Sequence, residues 1–396
     1  MPKSNTDGTE LYTTLPKAIP YRIPAIAQTC KGALVVVSDY RYCGSDIGFG
    51  RVDLHARLSA DGGNTWGYES IIASGSGIKD RDDCGFGDAA IVADATSNTL
   101  LLLCVRGNTV YTAPTTTRQN PNRVARMYSY DGGLTWTLPE NITESIYSLF
   151  DHCPKGPVQS LFVASGKIFQ SNHLKVGSHY RLYAALCARP NGNRVIYSDD
   201  FGKNWNILGS VDEYPAPQGD EPKCVELPDG NVLLSSRAGN GRLFNIFKYD
   251  TGDASHTTGS WEKVAFSSAA NDGIRADNNS CNGGILTVPV KRCSDGRKMH
   301  LLLQSVPFGK GRTHVGIYYK PLVSEADYAT PEAVASQWEG RYLCTTLESA
   351  YSELILQKNG LIGFVYEEST HQADYSIIYK SFTLEEITGG RYRLRK

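Results

Sequence analysis

One eight-residue pattern recurs along the chain at a nearly constant interval. Ser59 to Trp66 reads SADGGNTW, Ser129 to Trp136 reads SYDGGLTW and Ser198 to Trp205 reads SDDFGKNW, so the starts at 59, 129 and 198 lie 70 and 69 residues apart. A period of this order marks chains that stack or circle one supersecondary unit. The residue types say what the window is. Gly63, Gly133 and Gly202 can take positive φ, Asp61, Asp131 and Asp200 can accept N–H bonds of a turn, and each Trp can pack beneath it. Such a hairpin turn is a structural device and performs no chemistry. All five tryptophans follow the same beat: Trp66, Trp136, Trp205, Trp261 and Trp338. The last two mark degenerate copies, since TGDASHTTGSW stretches the turn and SQWEGRYL lacks its Asp and Gly.

Between the markers lie short alternating or apolar runs such as GALVVVSDY, AAIVADA, TLLLLCVR, GNVLLSSR and GLIGFVYE, bounded by Gly, Asn or Asp. They read as strands of four-stranded blades. A length of 396 residues divided by about 65 per blade predicts an all-β, six-bladed β-propeller, within the usual range of such folds. High Tyr and Gly, 23 and 39, agree with strands joined by tight turns. Two short helices are expected at the margin: TPEAVASQW with Thr330 as cap and Pro331 at the first helical position, and TLEEITGG with Thr383 as cap and Gly389 near its end. No linker or composition shift divides the chain, so residues 11–396 are expected to form one domain behind a flexible tail of residues 1–10.

The charges nearly cancel, 40 basic against 41 acidic residues, which excludes a sequence-independent grip on nucleic acid. Ten cysteines are scattered singly without CxxC pairs. Cys104 and Cys187 sit in apolar runs and read as small buried hydrophobes rather than parts of a disulfide framework. No apolar stretch approaches the roughly 20 residues that span a bilayer, and MPKSNTDGTE has no signal-peptide core.

The repeated turns resemble the Asp boxes of the sialidase superfamily, and Tyr21-Arg22-Ile23-Pro24, upstream of the first box, resembles its Arg-Ile-Pro motif. With a Tyr near the C-terminus, the pattern is most similar to the bacterial exo-sialidases of the retaining class, and the resemblance covers essentially the whole chain. It implies a substrate with a carboxylate on its anomeric carbon, for which guanidinium groups are the fitting clamp. Arg22, Arg237 in VLLSSRAGN and Arg312 in FGKGRTHVGIYY match the family's arginine triad, although Arg292, Arg297 and Lys310 lie near the last. That carboxylate would repel an anionic nucleophile but not a phenol, and Tyr351 in ESAYSEL matches the family's nucleophile.

The phenol needs a partner for its proton. Glu221 in QGDEPKCVEL, 16 residues before Arg237, is the match, with Glu226 on the same strand as the alternative. Asp46, 24 residues after Arg22 in a Gly-bounded loop, resembles the acid that protonates the leaving group. Its competitor Asp39 follows VVVS and reads as a strand-end or turn group. By resemblance Arg41 flanks the substrate near the acid, Asp88 contacts a sugar hydroxyl and Glu367 orients Arg22. The acidic run at Asp80, Asp82 and Asp83 lacks the full calcium-loop pattern and reads as a solvated loop, so no metal and no cofactor are expected. His173 and His314 read as local hydrogen-bonding groups.

The resemblance therefore implies hydrolysis of terminal α-linked sialic acids from glycoproteins, glycolipids or oligosaccharides. It also implies a secreted or periplasmic setting, and a monomer is favoured. Transfer of the sugar to an acceptor, or to its own hydroxyl, would use the same residues. A glycan-binding propeller without turnover would be expected to lack the acid, the Tyr or the Glu. A purely structural propeller would leave the arginine and Tyr contexts unexplained.

Overall fold

The computed structural model describes residues 3–253 and 256–395. Its strands form six antiparallel sheets arranged as the six blades of a propeller. From the inside outward, the first blade is Tyr21–Gln28, Leu34–Tyr40, Asp53–Ser59 and Ser70–Ala73, and the second is Gly85–Ala93, Leu100–Gly107, Arg123–Ser129 and Glu140–Asn141. The third continues from His179–Arg189 to Arg194–Ser198 and Asn206–Ile207, with its inner edge split between Ser160–Val163 and Phe169–Val176. In that split, Gly166–Lys167 leaves to pair in parallel with Gly85–Ala93. The fourth blade runs Asp220–Glu226, Val232–Ala238, Gly241–Tyr249 and Gly259–Trp261, and the fifth Ile285–Arg292, Lys298–Gly309, Thr313–Leu322 and Gly340–Leu343.

The sixth blade draws only three strands from the end of the chain, Ser349–Leu356, Ile362–Glu368 and Ser376–Phe382. Its outer strand is Asn5–Tyr12, paired antiparallel to Ser376–Phe382. This corrects the expectation of a loose tail over residues 1–10; Met1 and Pro2 lie outside the described residues. The physical reason is closure. A three-stranded last blade would leave an open edge, and the start of the chain covers it while burying Leu11 and Tyr12 against the first blade.

The second strand of each blade is apolar on both faces because it is sandwiched between neighbouring blades. Leu34 to Val37 and Leu100 to Leu103 are fully buried, which is why these runs do not alternate. The core is accordingly a ring of wedges between blades, with separate clusters joining first to second, second to third and sixth to first. Both margin helices are present, at Pro331–Ala335 and Leu384–Thr388. Thr330 and Thr383 cap them through Ala333 N and Glu386 N, and Gly389 ends the second at a φ of 61°.

Each repeated turn joins the third strand of its blade to the fourth, and two of the three share one bonding pattern throughout. In the first, Gly63 N donates to Ser59 Oγ at 2.8 Å, Thr65 N to Asp61 Oδ1 at 2.9 Å and Trp66 Nε1 to Gly63 O at 3.2 Å. The second repeats these at 2.8, 2.9 and 3.2 Å through Ser129, Asp131 and Gly133. The third keeps the Ser198 and Asp200 bonds with Asn204 in place of Thr, while Trp205 Nε1 is buried without a hydrogen-bond partner among the described residues. Glycine is required at the fifth position for two reasons. Its φ is 96°, 97° and 81° in the three copies, and a Cβ there would collide with the preceding blade, at Tyr379, Val35 and Leu101 respectively. The turn is thus also a joint between blades.

Antiparallel succession puts the starts of the inner strands and the ends of the second strands on one face of the propeller. The repeated turns, at the ends of the third strands, lie on the other.

Candidate active site

Apart from Glu226, every residue singled out for chemistry comes from the first of those faces. Arg22, Asp88, Glu221 and Tyr351 sit near the starts of the inner strands of blades one, two, four and six. Arg237 and Glu367 sit near the ends of second strands, Arg41 just beyond one, and Arg312 between the second and third strands of blade five. Arg22, Arg41, Asp46, Asp88, Glu221, Arg237, Arg312 and Tyr351 line one cavity of about 430 Å³. Glu367 lies behind it, fully buried. A larger open hollow, about 940 Å³ around Arg118, contains none of them, and Arg118 is already paired with Glu144 and Asp151.

At the centre, the Tyr351 hydroxyl donates to Glu221, lying 2.6 and 2.7 Å from its two carboxylate oxygens. Arg237 Nη1 reaches both, at 2.6 Å from Glu221 Oε2 and 3.1 Å from the Tyr351 hydroxyl. Burial, followed by the charge of Glu221, pushes the Tyr351 phenol well above its ordinary value, and Arg237 works against that rise. The phenol therefore rests protonated beside an acceptor for its proton.

Glu367 is the hub behind the phenol. One oxygen accepts from Arg22 Nε and from Ile23 N, each at 2.7 Å, and the other accepts from Tyr351 N at 2.9 Å. Burial alone would lower the Arg22 guanidinium, but Glu367 more than offsets it and the net shift is upward. Ile23 holds a φ of 58°, unfavourable for a β-branched residue, and the bond to Glu367 fixes it there. Asp88 and Arg312 also sit at positive φ, 54° and 65°, so three of the residues lining the cavity have left-handed backbone.

Asp46 sits in the loop after Leu34–Tyr40, with an exposed side chain whose Oδ1 is 3.2 Å from Arg41 Nη2. Arg41 is buried, 3.7 Å from Asp88, and held from behind at 3.0 Å by Asp39 Oδ2. Asp39 was expected to be a strand-end or turn group. It does stand one residue from the end of Leu34–Tyr40, but it is fully buried there, and its other oxygen takes the Asp88 N–H at 3.0 Å. Burial raises both aspartates, with Arg41 opposing, and Asp39 is pushed up to about 7. Glu226, the alternative to Glu221, is excluded by position. Five residues along the strand, it accepts from Ser171 and from Asn172 N, outside this cavity.

Sequence reasoning also missed Ser280, which links two arginines: its hydroxyl accepts from Arg237 Nε at 2.9 Å and its carbonyl from Arg312 Nη2 at 3.1 Å. It missed Asp220, a cavity-lining carboxylate 3.4 Å from Arg237 Nε. Neither stands in a motif, though Asp220 directly precedes Glu221. Of the acidic run, Asp82 pairs with Arg106 and Asp83 with Arg81. His173 and His314 lie outside the cavity lining.

Such an arrangement can hold a carboxylate among guanidinium groups, activate a phenol through an adjacent carboxylate, and offer a solvent-facing carboxyl group in the same cavity. Residues 40–363 match the BNR repeat-like domain, and the chain belongs to that family. It is 34% identical over 232 residues to a sialidase of Micromonospora viridifaciens, covering 55% of this chain and 32% of that protein. It is 24% identical over 381 residues to a sialidase of Clostridium perfringens, covering 91% of each. Thus the chain spans about a third of the first relative's length and most of the second's. Its fold is similar to the intramolecular trans-sialidase of Ruminococcus gnavus, with a TM-score of 0.72 over 98% of this chain and 99% of that one at 16% identity.

Proposed function

We propose that this member of the BNR repeat-like family is a retaining exo-α-sialidase that releases terminal sialic acid by double displacement on Tyr351. The observation that carries the reading is the Tyr351 hydroxyl, bonded to Glu221 and Arg237 in one cavity with Arg22 and Arg312. Arg22, Arg237 and Arg312 hold the substrate carboxylate on the anomeric carbon. The phenol oxygen attacks that carbon while its proton passes to Glu221, and Asp46 protonates the departing glycosidic oxygen. Asp46, now a carboxylate, takes a proton from water. The water oxygen displaces Tyr351, and Glu221 returns the proton to the phenolate. Two inversions leave the configuration retained.

A neutral nucleophile suits this substrate because its carboxylate would repel an attacking Asp or Glu. Arg41 and Asp88 complete the wall around the ring, with Asp88 on a hydroxyl. Sialylated glycans are the partners, the reaction uses no cofactor or metal, and the setting is outside the cytoplasm. None of the helices in the described residues is long and apolar enough to cross a membrane.

Proton NMR of the purified protein with an aryl α-sialoside tests the reading. Free sialic acid appearing first as the α-anomer is the expected result. A first product of β-configuration would overturn retention, an anhydro-sugar would reassign the chain to intramolecular transfer, and saturable binding without product would reassign it to glycan binding.

A further inference from the structure

Below the Tyr351–Glu221 contact the central channel contains a second cross-link that the reaction above does not use. Lys223 follows Glu221 by two residues on the inner strand of blade four, and Glu353 follows Tyr351 by two on the inner strand of blade six. Residues two apart point to the same side of a strand, about 7 Å further along. Lys223 Nζ lies 3.4 Å from Glu353 Oε2, with side chains 3% and 0% exposed. The two strands belong to blades that are not neighbours, since Ile285–Arg292 of blade five lies between them in sequence and in the ring. They meet across the channel at two successive levels, a phenol on a carboxylate above and an ammonium on a carboxylate below.

The surroundings are built around this lower link. Glu353 Oε1 takes the Leu354 N–H at 2.9 Å, and Lys167 Nζ stands 3.8 Å from it. Lys167 reaches that position because the inner edge of blade three breaks at Gly166–Lys167, and its ammonium also donates to Ile285 O at 3.0 Å and Leu354 O at 3.3 Å. Gly166 and Gly284 press against the pair so closely that a Cβ at either would strike Glu353, and at Gly166 also Lys223. Ile355 and Val225, the next channel-facing pair, line a separate cavity of about 270 Å³ at the far mouth. The ion pair is therefore the floor between the active-site cavity and the opposite face.

A buried ion pair is a poor source of stability, because desolvation offsets its attraction, but it fixes geometry. Here it fixes the separation of the two strands that carry the phenol and its proton acceptor. We propose that Lys223 and Glu353 are positioning residues, a strut that holds Tyr351 and Glu221 in hydrogen-bonding register during proton transfer. This inference rests on the function proposed above. The charged groups around Lys223 are Glu353, Glu221 and Lys167; burial lowers its ammonium and the two carboxylates oppose that.

The test is steady-state kinetics on an aryl α-sialoside with the double variant Lys223→Met/Glu353→Leu, which keeps volume and removes both buried charges, and with Glu353→Gln, which keeps shape and contact. The expected result is a kcat loss of about 10- to 100-fold in the double variant, with KM changed less than about threefold. Glu353→Gln, which keeps the shape but removes the ionic attraction across the channel, should lose about 3- to 10-fold, less than the double variant. Thermal melts taken alongside separate this from instability, since a merely structural pair would lower Tm and leave kcat unchanged well below it. A folded double variant with wild-type kcat overturns the strut. Should the double variant not fold, wild-type kcat in folded Glu353→Gln overturns it equally. A wild-type protein without activity would instead remove the proposed function itself.

Discussion

On one face of the propeller three turns repeat nearly bond for bond, whereas on the other each contributing blade supplies a different set of side chains at different positions on its strands. The repeated face solves one local problem each time: a tight connection whose glycine lets its blade close against the previous one. Its bonds are short in sequence, from Ser59 to Gly63 or Asp61 to Thr65. The other face solves one global problem once. Its bonds join residues far apart in the chain, Arg22 to Glu367 and Glu221 to Tyr351, across 345 and 130 positions. The first arrangement stores stability, and the second spends some of it on buried charge and left-handed backbone at Ile23, Asp88 and Arg312.

This contrast predicts that changes on the two faces separate chemistry from stability. The largest effect is expected for Tyr351→Phe, which should lower kcat for the aryl sialoside by about 10³-fold or more while the melting temperature stays near that of the wild type. Near-normal turnover would break the contrast at its centre. Asp46→Ala should cost about 10²- to 10³-fold on a natural disaccharide with a poor leaving group and far less on an activated aryl sialoside. Equal losses on both would mean that Asp46 is not the acid.

Moving to the repeated face, Trp136→Ala should cost about 2–3 kcal/mol in denaturant unfolding, below the ~3–5 of a fully buried Trp because this one is half-buried, with kcat/KM unchanged. Gly133→Ala should destabilise as well, since its Cβ would sit 2.9 Å from a Val35 methyl at a φ of 97°. A catalytic defect without destabilisation in either variant would join the two faces that the account separates. The smallest effect concerns acid. Bonds from Thr65, first through its side chain and then its backbone, hold Asp61 down at about 2, and Asp131 and Asp200 are lowered too. A depressed carboxylate gives stability that is full above its ordinary value near 4 and fades as pH falls through about 2. Melts over that window should drop less in Asp61→Asn than in the wild type, and identical pH slopes would remove the contribution.

The same contrast explains what could be read before any coordinates. The blade count and the turns were legible because they rest on local spacing, and so were both helices, whose caps lie within a few residues. The candidate site residues came from family motifs, and eight of them, Arg22, Arg41, Asp46, Asp88, Glu221, Arg237, Arg312 and Tyr351, line one cavity. What escaped lacks both kinds of signal. Asp39 and Ser280 act through arginines that only the fold brings near, and Lys223 and Glu353 meet across a channel between distant segments. The outer strand Asn5–Tyr12 was hidden because its partner, Ser376–Phe382, lies at the far end of the sequence. Even so, the Leu11-Tyr12 pair carried a trace of it, as two large apolar residues that burial then claimed.

The proposed reaction requires a covalent bond between Tyr351 and the sugar. Incubation with a 3-fluoro-sialosyl fluoride, which slows release of the intermediate, followed by proteolysis and mass spectrometry of the peptides, tests it most directly. One added fluorosialyl group is expected, on the peptide carrying Tyr351 and absent from Tyr351→Phe. The same adduct on the Glu221 or Asp46 peptide, or turnover of the probe with none on any, would contradict it.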